Sequence, residues 1–468
     1  MNIIIKKLYS VWNLFRLALS GGESNILSGN INRAILLLAI PMTLEMAMES
    51  LFAVVDIYFV SKIGINAIAA VGLTETLMTI TYSLGWGLAM GTTAMVSRRI
   101  GEKDNKGASI SAVQSIYLGS LVSVPMMIAG IFFSEDLLKL MGASNAIIEE
   151  GAGYTKLLFG SNIIIILLFL INGIFRGAGD ATIAMRALWI SNGLNIVLDP
   201  MLIFGIGPFP ELGIEGAATA TIIGRSLGVC YQLYHLFKGR GIIKIHKENW
   251  HLKPDIIVRL VKLSAGVTAQ FLIGSASWIF LMRIISTFGS TALAGYTIAV
   301  RIIIFTLMPA WGFANAAATM VGQNLGAKQP DRAEKSVWRT AFYNLIFMGT
   351  VMVIYLVYAK NLAAFFTDDK GVIASAAECL YIFSLGYLFY ALGMVLVQAF
   401  NGAGDTITPT IMHFFVFWLF QLPFAYLLSI GLSIGTTGVY WAIVISETIF
   451  TILGYFLFKK GRWKSVKV

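Results

Sequence analysis

The stretch WGLAMGTTAMVSRRIGEK at residues 86–103 recurs as WGFANAAATMVGQNLGAK at residues 311–328. The shift of 225 residues, from Trp86 to Trp311, also relates two further pairs of segments: GAGD at 177–180 to GAGD at 402–405, and IGINAIAAV at 63–71 to FGSTALAGY at 288–296. Because one shift covers three separate segments, the sequence predicts two structurally equivalent halves.

The composition excludes a water-soluble globular protein. Of the 468 residues, 57% are hydrophobic and only 12% are charged, whereas soluble domains carry roughly 25% charged residues. Apolar runs recur along the whole chain, which also argues against a secreted protein with a signal peptide and against a soluble domain on one anchor. A chain of this length holds roughly 12 to 14 helical spans.

The apolar runs and their breaks predict twelve transmembrane helices, six in each half. Since six is even, both halves enter the membrane from the same face, and a pseudo-twofold axis along the membrane normal relates them. The predicted fold is therefore an all-α polytopic membrane protein of two six-helix lobes, with a central cleft. The spans are predicted at 34–60, 67–94, 109–131, 147–172, 183–205, 215–237, 263–287, 292–318, 337–359, 372–398, 408–430 and 437–458.

These spans divide the chain into five regions. We predict an interfacial amphipathic helix and entry (1–33), an N-lobe (34–237), a basic linker containing helix and loop (238–262), a C-lobe (263–458) and a basic tail (459–468). Most of the 34 Lys and Arg residues fall on the side of both termini. By the positive-inside rule, both termini are cytoplasmic, and we expect a multi-pass protein of the plasma (inner) membrane.

Several function classes find no support in the sequence. The cysteines, Cys230 and Cys379, both lie in apolar runs, so a disulfide framework or a paired metal site is not expected. The basic residues lie between apolar runs, which argues against a nucleic-acid partner. No G-x-x-x-x-G-K-[ST] motif occurs, so RGAGD at 176–180 and NGAGD at 401–405 are interpreted as helix C-caps. No nucleophile and base stand out, and we predict a monomeric non-enzyme without cofactors.

Charged side chains inside the predicted spans identify a candidate site. Each costs about 2.5–3.5 kcal/mol at the bilayer centre, so each needs a reason. In the first span, Glu45, Glu49 and Asp56 lie on one narrow stripe at 100° per residue. The second span presents another stripe, formed by Glu75, Thr79, Tyr82, Trp86 and Thr93.

The fifth span adds Asn192, Asn195 and Asp199, which also share one face. Pro200 follows the carboxylate and frees a carbonyl one turn earlier, which can bind a cation or water. Carboxylate, amide and hydroxyl oxygens suit Na⁺, and a buried carboxylate can carry a proton, so H⁺ and Na⁺ both stay open as coupling ions. If the ion is Na⁺, the predicted ligands are Asp56, Asn195 and Asp199.

The repeat provides an internal control for these acids. At the shift of 225, Glu45, Glu49, Asp56, Glu75, Asn195 and Asp199 correspond to Gln270, Gly274, Leu281, Val300, Phe420 and Phe424. Acids required only for helix packing would recur in the second copy, so this asymmetry favours a functional role in the first half. Glu447 is the one deep acid of the predicted second-half spans, and the sequence suggests no role for it.

The second half instead offers an adaptable apolar wall, in a chain with 19 Met and 31 Phe residues. Candidate wall residues there are Trp278, Trp311, Tyr387, Tyr390, Met394 and Gln398. The predicted substrate cavity combines residues of both halves: Tyr82, Trp86, Gln270, Trp278, Tyr390 and Met394.

The chain resembles the multidrug and toxic compound extrusion (MATE) transporters. The resemblance rests on LLLAIPM after a basic helix, VVDIYFVSKIG at 54–64, the paired WG…G motifs and RGAGD/NGAGD, and it runs over nearly the whole chain. It implies a V-shaped fold of two lobes and cation-coupled efflux of amphiphilic, often cationic compounds, with small molecules and the lipid bilayer as the expected partners.

The resemblance also implies roles for individual residues. The family's first-span aspartate falls on Asp56, and the Asn-x-x-x-Asp pair of its DinF-like branch falls on Asn195 and Asp199. That branch has a threonine near the cation in span 6, here Thr219 or Thr221. The NorM-like branch has acids in spans 7 and 10, where this sequence has neutral residues. The chain therefore looks DinF-like. From the polar stripes of spans 5 and 2, Asn192 and Glu75 are further candidate coupling residues, and Glu45 and Glu49 are additional acids outside the family pattern.

Two alternatives stay open at this point. A lipid-linked saccharide flippase of the same wider superfamily would need a strongly cationic cavity, yet only Arg225, Arg283 and Arg301 lie within the predicted spans. An intramembrane enzyme could use Asp56 and Asp199 as paired acids, but it would need a water path and a reaction.

Overall fold

The computed structural model describes residues 12–21, 26–238 and 241–468, and within these residues the chain is helical without strands. We number the twelve principal helices α1 to α12. The first lobe contains α1 (Ile31–Val60), α2 (Ile65–Gly101), α3 (Asn105–Leu140), α4 (Asn145–Gly160 and Asn162–Ala178), α5 (Ala181–Phe204) and α6 (Ile214–Lys238). The second lobe contains α7 (Pro254–Ser286), α8 (Ser290–Gly326), α9 (Pro330–Ala364), α10 (Lys370–Leu385 and Tyr387–Ala403), α11 (Ile407–Gly431) and α12 (Thr436–Lys459).

The helices have the length and composition of a polytopic membrane protein. In the described part of the chain, nine single helices are long and apolar enough to span a membrane, and the bent pairs α4 and α10 raise this number to eleven. The remaining helix, α6, has 25 residues and carries the buried polar side chains Arg225 and Gln232. With α6, the twelve predicted spans each coincide with a helix, which confirms the all-α fold.

The bends in α4 and α10 occupy equivalent places in the two halves. Helix α4 bends by 43° beside Ser161, and α10 bends by 59° beside Gly386, 225 residues later. The caps that follow are equivalent as well: Gly179 has φ of 89° and Gly404 has φ of 88°. The left-handed conformation required here explains the glycines, and RGAGD and NGAGD do form the predicted C-caps.

The helices are longer than the predicted spans at the end that carries the termini. Helix α2 continues to Gly101, where the prediction ended at 94, because hydropathy reports the apolar part of a helix and not its hydrogen-bonded length. Helix α7 begins at Pro254, inside the predicted linker 238–262, since proline at the first position starts a helix well. The linker seen here is therefore shorter and contains one 3₁₀ turn at Lys247–Trp250.

The terminal segments pack on the helices. Residues 12–20 are helical, as predicted for 1–20, whereas residues 1–11 and 22–25 of the predicted entry lie outside the described residues. The predicted basic tail at 459–468 is packed against α12 through one aromatic side chain. Trp463 is fully buried and stacks on Phe458 at 4.6 Å between ring centroids.

The two lobes pack through a swapped pair of helix contacts. Helix α1 of the first lobe packs on α8 of the second, and α7 of the second packs on α2 of the first. These pairs exchange when the halves are exchanged, as a pseudo-twofold axis requires. Helices α2 and α8, which carry the repeated segments 86–103 and 311–328, also pack on each other.

The lobes are closed together at the end that carries the termini. Arg98 of α2 donates to the carbonyl oxygens of Ala403 at 3.1 Å and Val466 at 2.9 Å. Gln323 of α8 donates to the Gly177 carbonyl at 2.9 Å. Glycine allows this approach, because a Cβ on Gly101 would lie 2.0 Å from the Gln323 carbonyl oxygen. Backbones this close leave no room for water between Gly101 and Gln323.

The opposite end is open. Trp86 lies 5.7 Å from Trp311 and 5.8 Å from Phe271 between ring centroids, so half-buried rings from both lobes meet here. About 10 Å further out, the Ser50 hydroxyl reaches the Phe305 carbonyl at 3.4 Å. Beyond that level, no hydrogen bond, ion pair or ring contact joins the lobes among the described residues. The resulting cleft has an aromatic floor and opens away from the termini.

Candidate functional site

The polar stripe of α1 faces the interior of the first lobe, where α4, α5 and α6 provide its partners. Glu45 is fully buried and accepts hydrogen bonds from Arg176, with which it forms an ion pair, and from Asn172 at 3.0 Å. Gln232 of α6 donates to Asn172 at 2.5 Å, which extends the network across the lobe. The predicted additional acid Glu45 is thus charge-compensated.

Glu49, one turn further along α1, has its own cation. Arg225 of α6 donates to Glu49 at 3.2 Å, and Asn192 of α5 donates to the other oxygen at 2.8 Å. The Arg225 guanidinium also lies over the rings of Phe52 and Phe169, at 5.4 and 5.6 Å. The structure therefore places Asn192, which the sequence predicted as a coupling residue, in contact with Glu49.

Asp56 lies two turns beyond Glu49 and meets a different environment. Its carboxyl group is within hydrogen-bonding reach of the Asp199 carboxyl group, and both residues are buried. Asn195 donates to Asp199 at 3.2 Å and to the Thr221 hydroxyl at 3.0 Å. The structure thus brings Asp56, Asn195, Asp199 and Thr221 together. Thr219, the other candidate threonine, bonds its own helix backbone at Glu215.

This group has acceptors without donors. The second oxygen of Asp199 and the side-chain oxygen of Asn195 are buried and have no hydrogen-bond partner among the described residues. Two adjoining carboxylates repel each other in a low-dielectric interior unless a proton or cation lies between them. Among the described residues, no group of three or more His, Cys, Asp or Glu forms a metal site. The carboxylate, amide and hydroxyl oxygens gathered here instead suit one monovalent cation, Na⁺ or H⁺, carried as a substrate.

The second lobe contains neutral counterparts at these positions. Gln270 and Asn401, the equivalents of Glu45 and Arg176, exchange hydrogen bonds of 3.1 and 3.2 Å. Where the first lobe has Asn195 and Asp199, the second has Phe420 stacked on Phe424 at 5.0 Å. The adjoining buried carboxyl groups therefore occur in one lobe only among the described residues.

Glu75 lies apart from the buried acids of α1 and α5, on the cleft face of α2. Its side chain is exposed, and its strongest charged neighbour is Arg301 of α8, in the other lobe. The Asp56 carboxyl group also lies close enough to Glu75 for the two charges to repel each other. Tyr82 and Trp86 continue the same face towards the floor and pack on Phe169, at 6.3 and 5.4 Å. Glu75 thus borders both the cleft and the buried carboxylates.

The remaining predicted cavity residues lie inside the second lobe. Gln270 and Met394 are buried. The Gln270 amide donates hydrogen bonds to Asn401 and, at 3.1 Å, to the Thr406 carbonyl. Trp278 is half-buried between Tyr296 and Phe383, at 6.4 and 6.2 Å. The half-buried Tyr390 lies near the buried Glu447. Gln270 and Met394 accordingly contribute no surface to the open cleft.

Sequence reasoning missed the role of Arg176. Its sequence context, RGAGD, predicts only a capping loop, and helical periodicity relates residues on one helix and cannot show partners on another. One signal was present: the shift of 225 converts Glu45 to Gln270 and Arg176 to Asn401 together, as a paired change of charge. Arg225 was noted as an intramembrane cation but without its partner Glu49.

Comparison with known proteins identifies the family. The MatE family model matches residues 41–201 and 267–427, one stretch in each half. The chain belongs to the MATE family. This confirms the predicted resemblance and the duplication, and it makes the chain a multi-pass membrane transporter for small molecules.

Individual relatives align over nearly the whole MATE chain. The probable multidrug resistance protein YoeA of Bacillus subtilis is 25% identical over 93% of this chain and 95% of its own length. The probable multidrug resistance protein NorM of Thermotoga maritima is 26% identical over 93% of each. The solved structure of a multidrug resistance MATE family transporter in an outward-facing conformation matches with a TM-score of 0.88 and 28% identity, over 94% of this chain and 98% of that one. These names do not favour a saccharide flippase.

Proposed function

We propose that this MATE protein is a secondary active multidrug efflux transporter that exports amphiphilic, often cationic compounds in exchange for H⁺ or Na⁺. The single observation that carries the coupling is the contact between the buried carboxyl groups of Asp56 and Asp199, beside acceptor atoms that lack donors. The names of the relatives support multidrug efflux. The first-lobe location agrees with the DinF-like branch that the sequence predicted.

The open cleft supports alternating access. We propose a monomer in the plasma membrane with both termini cytoplasmic, as the distribution of Lys and Arg predicts. The end closed by Arg98, Gln323 and Gly101 is then cytoplasmic, and the cleft opens outward. Asp56 lies four residues from the outer end of α1, about 6 Å along the axis, where an external cation can reach it.

Cation and drug would communicate through α1. Binding of a cation between Asp56 and Asp199 removes their repulsion and lets α1 pack more tightly on α5, and Pro41 near its cytoplasmic end offers a hinge. By linkage, the state that binds the cation better must bind the drug worse if the cation is to drive release.

The decisive experiment measures transport in liposomes. Purified protein is reconstituted, and efflux of a fluorescent dye is followed under an imposed Na⁺ gradient or an imposed pH gradient. Asp56→Asn and Asp199→Asn keep the side-chain shape but remove the titratable charge, so each should abolish coupled efflux and leave insertion and expression near normal. Asp368→Asn, in an exposed loop, is the matched control. Full drug resistance in cells that express either site variant would refute the assignment.

A binding experiment tests the coupling itself. Drug affinity of the wild type in detergent should fall as pH drops if the ion is H⁺, or as Na⁺ rises if it is Na⁺. The Asp56→Asn variant should bind with an affinity independent of both. A wild-type affinity that is constant across both titrations would show that Asp56 is not the coupling switch.

A further inference from the structure

The contacts between α2 and α8 at the closed end are related by the pseudo-twofold axis. A Cβ on Gly101 would lie 2.0 Å from the Gln323 carbonyl oxygen, and a Cβ on Gly326 would lie 2.2 Å from the Arg98 carbonyl oxygen. The shift of 225 converts Gly101 to Gly326 and Arg98 to Gln323, so one contact is the image of the other. Equivalent positions on the two helices therefore lie at the same depth.

The aromatic floor of the cleft lies on the same axis. Trp86 contacts Trp311, its own equivalent, at 5.7 Å between ring centroids. Outside this level α2 extends to Ile65 and α8 extends to Ser290, which are equivalent at the same shift. The two helices thus touch at their inner ends and at the floor, and their outer parts line the open cleft. Rocking of the lobes about the floor would bring these outer parts together.

Each outer part carries a single charged residue. Glu75 is the one charged residue of 65–86 in α2, and Arg301 is the one charged residue of 290–311 in α8. Glu75 lies eleven residues outside Trp86 and Arg301 lies ten residues outside Trp311, so both are about 15–17 Å from the floor. Both side chains are exposed. Two opposite charges therefore occupy matched depths on the two lobes.

The two charges face each other across the cleft. Glu75 lies within about 20° of Trp86 around the axis of α2. Arg301 lies one turn outside Phe305, whose carbonyl accepts the hydrogen bond from Ser50 of α1, so it is on the side of α8 that faces the first lobe. Arg301 is also the charged group that acts most strongly on Glu75. Among the described residues, however, the ion pairs within 4.0 Å include neither of them.

We propose that Glu75 and Arg301 form an outer latch, an ion pair made when the outer parts of α2 and α8 close and broken when the cleft opens. This inference rests on the alternating access of the proposed function. A charge within a membrane span needs either water or a partner. The open cleft gives water to both side chains, and closure removes that water and supplies the partner. The latch thus stabilises the inward-open state, which the contacts at the closed end oppose.

The experiment exchanges the two charges. Opening at the inner end is followed as the thiol-labelling rate of Ser97→Cys, which is fully buried at the closed end, in the purified full-length protein with Cys230→Ala and Cys379→Ala. Glu75→Arg or Arg301→Glu alone places like charges opposite each other and should lower this rate at least fivefold. The double variant restores an opposite pair in reversed order and should return the rate to within twofold of the starting protein.

Rescue by the double variant separates a latch from the predicted coupling role of Glu75. A lost coupling residue would not be rescued, because no carboxylate returns to α2. Glu149→Arg reverses another exposed acid at the outer end of the first lobe and should leave the rate unchanged. Single variants that label as fast as the starting protein, or a double variant that labels no faster than the single variants, would overturn the proposal.

A crosslink tests the approach of the two helices without relying on charge. In Glu75→Cys with Arg301→Cys, and without the native cysteines, oxidation by copper phenanthroline during dye efflux should join the two residues and stop efflux until a reductant is added. A protein that forms no crosslink would contradict the latch. Coupling is judged separately: efflux that depends on Asp56, together with labelling that ignores the charge exchange, would retain the proposed function and reject only the latch.

Discussion

Glu45 and Arg176 form a buried ion pair whose second-lobe equivalent, Gln270 with Asn401, is neutral. The same contact between two helices is thus made by a charged pair in the first lobe and by a neutral pair in the second. Removing one member of a buried ion pair leaves an uncompensated charge and costs about 3–5 kcal/mol, whereas replacing both members costs much less. The repeat therefore supplies a ready-made neutral substitute for the charged pair.

This substitution can be tested directly. Glu45→Gln alone should lower the thermal unfolding midpoint of the purified protein strongly, because Arg176 is left buried and unpaired. The double variant Glu45→Gln with Arg176→Asn, which copies the second lobe, should recover most of the loss. Thermal unfolding in detergent, followed by size-exclusion chromatography, measures both. A single variant as stable as the wild type would show that the pair contributes nothing to folding.

At the residue scale, the sequence predicted which polar residues lie together better than it predicted the partners of the other acids. Asp56, Asn195, Asp199 and Thr221 were proposed from a stripe, a spacing and a resemblance, and the structure brings them into one contact network. The arginine partners of the other two acids were not predicted, because ion pairing depends on how separate helices are rotated against each other. Hydropathy and periodicity carry no information on that rotation.

Among the elements, the segment before α1 connects the two lobes. Arg186 of α5 donates to the carbonyl oxygens of Leu19 and Ser20, at 2.8 and 2.9 Å. Arg332 of α9 donates to the carbonyl oxygens of Ile26, Ser28 and Gly29, at 3.1 to 3.3 Å. One segment is thus held by an arginine from each lobe, at the end where the lobes are closed.

We call the residues held in this way the strap: Leu19, Ser20, Ile26, Ser28 and Gly29. Weakening the contacts of the strap should favour separation of the two lobes at the end that carries the termini. Arg332→Ala removes three charge-assisted hydrogen bonds, and a net loss of about 1 kcal/mol would increase the open population roughly fivefold. Thiol labelling of Ser97→Cys, which is fully buried under Gly322, reports opening in a background with Cys230→Ala and Cys379→Ala. Arg339→Ala, exposed on the same helix, is the control. An unchanged labelling rate in Arg332→Ala would exclude a closing role for the strap.

The sequence predicted the number and order of the helices but not their irregularities. Helix α11 contains two π-helical stretches, Phe414–Gln421 and Leu427–Gly431, whereas its equivalent α5 is α-helical throughout. The two π-helical stretches lie in apolar sequence and leave no trace there, because hydropathy is insensitive to which carbonyl accepts each hydrogen bond. The bends of α4 and α10 were likewise hidden inside continuous apolar sequence.

For the whole molecule, close packing of the two lobes at the end that carries the termini stabilises the outward-open state. Gly101→Ala places a Cβ at 2.0 Å from the Gln323 carbonyl oxygen, a backbone atom that cannot turn away. Overpacking of this kind costs about 1–3 kcal/mol and should shift the balance away from the outward-open state about 5- to 150-fold. Dye efflux should fall and labelling of Ser97→Cys should rise. Gly72→Ala on the same helix, where a Cβ meets nothing within 4 Å, should behave as the wild type.

The ion pairs of α1 also have a consequence for biogenesis. Glu45 and Glu49 are synthesised 131 and 176 residues before Arg176 and Arg225. At about 5–20 residues per second, the ribosome needs roughly 9–35 s to reach the second arginine. During that time α1 must hold three acids without counterions, each unfavourable in lipid by about 2.5–3.5 kcal/mol. Helix α1 should therefore be among the last spans to settle in the bilayer although it precedes the others in the chain, and nascent chains that stop before α6 should leave it accessible to water-soluble reagents.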